Sequence, residues 1–114
     1  MTNQSSIAVG DVVLVNIPFS DGVGAKRRPA LVIGPRDGYG DHLMLAITSN
    51  PETMGGIELD GATLQQGSLP RPSWVKPLAA HAVAAARVER VLAKVKPALL
   101  TKVRATLCPA LGCA

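Results

Sequence analysis

Aromatic side chains are nearly absent from this chain, with one Phe, one Tyr and one Trp in 114 residues. Phe19, Tyr39 and Trp74 cannot fill a core alone, so the interior must come from Val, Leu, Ile and Ala. Their scarcity also excludes a platform of several rings on which successive bases could stack. Cysteine is as scarce. Cys108 and Cys113 stand near the C-terminus without clustered histidines, which argues against a zinc site and, with so few thiols, for two reduced ones. No stretch approaches the roughly 18 to 20 apolar residues that span a bilayer. The first residues, MTNQSSIAVG, lack the charged and apolar regions of a signal peptide. The expected setting is the cytoplasm, away from membranes, with no metal and no cofactor.

Acidic residues are nearly missing from one half. Residues 1–60 hold four Lys or Arg against seven Asp or Glu, a net charge of −3, whereas residues 61–114 hold eight against one, a net of +7. A cationic surface raises the local concentration of polyanions, nucleic acid included, although a solvated basic face is the commoner meaning of such a run taken alone. An apolar fraction of 47% over this length fits one globular domain, 1–114, with a modest core and a loose polar start at 1–6.

Strand signals dominate what is present. Gly10-Asp11-Val12-Val13-Leu14-Val15-Asn16-Ile17-Pro18-Phe19 reads as a strand entered by a turn and ended by proline. Two glycines in Ser20 to Ala25 allow a long hairpin tip, after which Lys26-Arg27-Arg28-Pro29-Ala30-Leu31-Val32-Ile33 opens a second strand. Pro29 cannot donate to a ladder and biases Arg28 toward extended backbone, which holds that arginine in a defined direction. His42 to Thr48 reads as a third strand with Leu43, Leu45 and Ile47 on one side and His42, Met44 and Ala46 on the other. Short strands are expected again at Gly56–Leu59 and Ser73–Lys76 inside an otherwise loop-rich region. Several short strands with turns between them indicate a small antiparallel barrel. From Ala79 onward the pattern changes: Val88, Val91, Leu92 and Val95 fall at i, i+3, i+4 and i+7, so local periodicity alone gives a long Ala-rich helix. Pro97 suits the first turn of a final helix, 97–107, with Leu99, Leu100, Val103 and Leu107 as its buried stripe and Pro109 and Gly112 stopping it.

The succession GDVVLVNIPF, a loop, KRRPALVI, then Ala46-Ile47-Thr48-Ser49, followed by GSLPRPSWVK at Gly67 to Lys76, resembles the MazF/PemK/Kid family of toxin endoribonucleases over about residues 8 to 107. The resemblance implies a mainly β fold, an SH3-like antiparallel barrel of the PemK/CcdB kind with a C-terminal helix. It also places a short strand at Ala82 to Ala85, against the helical periodicity of the residues themselves. The implied function is the toxin of a type II toxin-antitoxin pair, a metal-independent endoribonuclease acting on single-stranded RNA, with a cognate antitoxin and a homodimeric state.

Such an enzyme needs little from its protein. The RNA 2′-hydroxyl is an internal nucleophile beside the phosphate, so alignment, proton transfer and stabilisation of charge on the non-bridging oxygens suffice. The resemblance puts that work on Arg28, Thr48 and Ser49. Arg28 would offer a planar, permanently charged fork to the phosphate, an electrostatic role rather than that of a base. Thr48 would bond the phosphate or place the 2′-hydroxyl; alone it reads as an ordinary strand residue, and Ser49 as a turn hydroxyl. Lys26, Arg27, Arg71 and Lys76 are candidate RNA contacts, Lys76 standing where relatives often carry arginine. The glutamate frequent in the family's first loop is absent, leaving Asp21 or no residue in its place, and Ala93 stands near the position of a common glycine. His42 and His81 could form a ribonuclease-type acid/base pair, although isolated histidines are more often surface or core residues. The alternatives are a CcdB-like toxin that binds gyrase, and an inactive relative that binds RNA or antitoxin.

Overall fold

The computed structural model describes residues 7–18 and 24–113. The expectations for residues 1–6, for Phe19 and for the loop tip with Asp21 lie outside them. Among the described residues seven strands, β1 (Asp11–Pro18), β2 (Ala25–Val32), β3 (Asp41–Thr48), β4 (Ile57–Leu59), β5 (Leu64–Gly67), β6 (Ser73–Ala84) and β7 (Val88–Val95), precede one α-helix, α1 (Pro97–Ala110). They form one antiparallel sheet in the order β4-β6-β3-β2-β1-β7-β5, curled into a nearly closed barrel. The mainly β reading with a C-terminal helix is correct.

Strand alternation separates two apolar sets. One face gathers Val12, Leu31, Leu45, Ile47, Ile57, Leu59, Val75, Ala93 and Val95, and α1 closes it with Leu99, Val103 and Leu107. Each fully buried leucine of that stripe contributes about 1.5 to 3 kcal/mol. The other face gathers Val13, Val15, Ala30, Val32 and Met44 under Ile7, Ala85 and Val88. Leu45 and Ile47 against His42 and Met44 therefore divide β3 as the alternation predicts.

Four local expectations change. Val88 to Val95 is a strand, not a helix: β7 pairs with β1 through Val12↔Ala93, Val13↔Val91, Leu14↔Arg90 and Val15↔Val88, so Glu89 and Leu92 are extra residues. Two bulges break the period of two and leave apolar side chains at a spacing that imitates a helix. β6 is a single strand from Ser73 to Ala84, where two short pieces were expected. Leu64–Gly67, assigned to loop by its composition, pairs with β7 as an edge strand. Finally, α1 runs past 107 to Ala110 with Pro109 inside its last turn, and Gly112 at φ 81° turns the chain back. That turn brings the Cys113 Cα within 5.2 Å of Cys108, and the two are joined as a disulfide rather than kept as free thiols.

Candidate functional site

Pro29 decides where β2 stops being a central strand. β2 keeps β1 as a neighbour down to Ala25↔Pro18, but on its other side only Ala30, Leu31 and Val32 pair, with Ala46, Leu45 and Met44 of β3. The ladder toward β3 begins immediately after the proline, which has no N–H to offer it. Extending the same register by two residues sets Arg28 across from Thr48, beyond the last pair and on the face that carries Ala30 and Ala46.

A cavity of about 570 Å³ opens there. Its apolar lining is built from short side chains, Ala30, Ala46, Ala82 and Ala84 with Val15, Val83 and Met44, and its polar lining is Arg28, Thr48, Lys76, His81, Asn16 and Arg87. Among the described residues no carboxylate belongs to the lining. Three cationic side chains around an apolar floor with no acid among them describe a site for an anion attached to something flat and partly apolar.

Lys76 owes its place to an irregularity of β6. Val75 pairs with Ile47 and Ala80 with Leu45, so four residues of β6, Lys76 to Ala79, face the single Ala46. Pro77 cannot bond within that bulge, and such a bulge re-aims side chains beside a strand. After it the regular pairing resumes with His81 across from Met44 and Val83 across from His42.

The sequence candidates thus divide. Arg28, Thr48 and Lys76 line one cavity; Ser49, Lys26, Arg27 and Arg71 do not. Arg27 is engaged elsewhere, its Nε 2.7 Å from a carboxylate oxygen of Glu89 on β7. Ser49 and Lys26 are exposed, and Arg71 is exposed with its carbonyl accepting from the Ser73 hydroxyl at 2.9 Å. Thr48 Oγ1 accepts from the Asn50 backbone N–H at 3.1 Å, which steadies the end of β3. The two histidines are not a pair. His42 is buried, its Nδ1 donating to the Gly34 carbonyl at 2.9 Å and its Nε2 without a partner among the described residues, whereas His81 is exposed in the cavity wall.

Asn16 and Arg87 complete the lining and were not singled out from the sequence. Arg87 sits in the short 3-10 turn Ala85–Arg87 between β6 and β7, and its guanidinium donates to the Asn16 carbonyl at 3.5 Å. No one-dimensional signal marks either; only the β1–β7 pairing puts that turn beside the end of β1. Among the described residues no three His, Cys, Asp or Glu side chains gather as metal ligands, and no helix is long and apolar enough to cross a membrane.

A family model described as PemK-like, MazF-like toxin of type II toxin-antitoxin system matches residues 8–111. The chain belongs to this toxin family. Among solved structures, a MazE-MazF crystal structure from Deinococcus radiodurans superposes with a TM-score of 0.77 at 24% identity, over 95% of this chain and 98% of that one. MazF alone from Deinococcus radiodurans gives 0.68 at 25% identity, over 94% and 97%. An endoribonuclease from a Mycobacterial species gives 0.70 at 16% identity, over 94% and 92%. At such identities the superpositions speak for the shared barrel. A search of curated proteins finds no match. The cavity opens at the ends of KRRP and AITS, two of the segments that carry the family likeness.

Proposed function

We propose that this toxin is an endoribonuclease that cleaves single-stranded RNA in the Arg28–Thr48–Lys76 cavity, with the RNA's own 2′-hydroxyl as nucleophile. The observation that carries the reading is the convergence of those three side chains on one acid-free cavity in a member of a toxin family with an endoribonuclease among its structural neighbours. Arg28, fixed beside Pro29, gives its donor fork to the scissile phosphate and stabilises the charge that grows on the non-bridging oxygens. Lys76 adds a second, single-point cation from the β6 bulge. The Thr48 hydroxyl aligns the ribose 2′-oxygen with phosphorus, converting a flexible strand into a near-attack arrangement. The step asks for no metal and no cofactor.

The acid-free, cationic character of the site also suits an acidic or extended antitoxin segment as its inhibitor. A MazE-MazF complex and a Mycobacterial endoribonuclease bound to its cognate antitoxin are structural neighbours. A cognate antitoxin, a homodimer and a cytoplasmic location complete the reading, with Lys26 and Arg71 as outlying RNA contacts. Purified protein incubated with single-stranded RNA in EDTA tests it. Cleavage should appear and should vanish in Arg28→Ala, a substitution at an exposed side chain that leaves the circular dichroism unchanged. A variant as active as the parent removes the proposed site.

A further inference from the structure

We propose that His81 is a catalytic residue of this site, its imidazolium giving the proton that the departing 5′-oxygen needs. The assignment rests on the nuclease reading above and names the one step that reading leaves open. Arg28, Lys76 and Arg87, the charged groups that line the cavity, do not give up a proton readily near neutral pH, and Thr48 and Asn16 exchange none. Among the described residues no Asp or Glu lines the cavity to substitute for them. Imidazole is the one side chain whose unperturbed charge changes between pH 5 and 8, and among the described residues His81 is the only histidine in the lining. His42 cannot take this part, being buried and committed to Gly34.

Position assigns the direction of transfer. His81 lies across from Met44, four residues along β3 from Thr48, so roughly 13 Å of strand separates their rows. Arg28, across from Thr48, lines one end of the cavity and His81, across from Met44, the other. The 2′-hydroxyl is held at the Thr48 end, so the 5′-oxygen points to the His81 end. The 2′-oxygen bonds phosphorus and loses its proton to water; the bond from phosphorus to the 5′-oxygen breaks, and that oxygen takes a proton from His81.

The test compares the parent, His81→Gln and Arg28→Ala on a single-stranded RNA and on the same RNA with sulfur in place of the bridging 5′-oxygen at the cleaved linkage. A thiolate leaves without a proton. On ordinary RNA, His81→Gln should be slower by about 100-fold, the usual scale for a lost general acid, and its rate should no longer fall as pH rises through the imidazole range. On the sulfur substrate it should recover to within a few-fold of the parent, whereas Arg28→Ala should not. An unchanged rate on ordinary RNA, or a slow variant that sulfur does not restore, overturns the assignment of His81 while leaving the nuclease reading in place. A parent that cleaves neither substrate overturns both.

Discussion

The two faces of the sheet use the same strands to opposite ends. On the face toward α1, Leu31, Leu45, Ile47, Ile57 and Leu59 with valines of β1, β6 and β7 pack with Leu99, Val103 and Leu107 into one buried cluster. On the other face the described cover is Ile7, Ala85 and Val88 with Val83, and beyond it Ala30 and Ala46 stand in a floor too shallow to fill the space above them. Large side chains make stability where the chain can close over them. Small ones, placed where proline ends a ladder, leave room for a substrate.

The largest expected effect belongs to the open face. Arg28→Ala should lower RNA cleavage by at least about 100-fold, the scale of a lost preorganised charge donor, with thermal unfolding unchanged; a parallel loss of stability would blur the division between the faces. The closed face should respond the other way round. Leu99→Ala, at a residue only 4% exposed, is expected to lower the unfolding free energy by about 2 to 5 kcal/mol, read by urea titration, with cleavage per folded molecule retained. Ala46→Leu sharpens the comparison by filling the floor from within. Folding should survive, since the position faces open space, and kcat/KM for RNA should fall on the order of tenfold or more because the linkage can no longer settle against Arg28.

Away from both faces the effects shrink. Asp37, exposed in the turn before β3, accepts from the backbone N–H groups of Asp41 and Tyr39, and the Asp41 bond above all holds its carboxyl below the ordinary carboxylate range. A depressed carboxylate stabilises the fold above the unfolded pKa of about 3.9 and loses that contribution as pH falls through the folded value. Melting curves between pH 7 and 3 should therefore show Asp37→Asn less acid-sensitive than the parent by a small margin. An equal or greater acid sensitivity would mean that the turn bonds carry no net stabilisation.

Much of this arrangement could be read along the chain. Val12 to Val15 and Ala30 to Val32 declare strands as apolar, β-branched runs bounded by turn and proline signals, His42 to Thr48 does so by alternation, and Pro97 with the Leu99, Val103 and Leu107 stripe declares the helix. Arg28 and Thr48 could be named together because KRRP and AITS resemble one family. Ser49, Arg27 and Arg71 could not be sorted from Lys76 in the same way. Cations on neighbouring positions look alike in a sequence, whereas an ion pair to Glu89 occupies Arg27 and a four-residue bulge delivers Lys76 to the cavity. Asn16 and Arg87 carried no signal, since their proximity comes from pairing between strands more than sixty residues apart.

By itself the sequence determined the antiparallel strands, the final helix, the poverty of acid in the second half and the family, because each is written in local spacing or composition. Tertiary pairing alone decided that Val88 to Val95 is a bulged strand, that one histidine of two reaches the cavity, and that Cys108 meets Cys113. The physical reason is the same in every case. A bulge, a register or a chain reversal changes which side chains meet without changing the residues that a reader of the sequence can count.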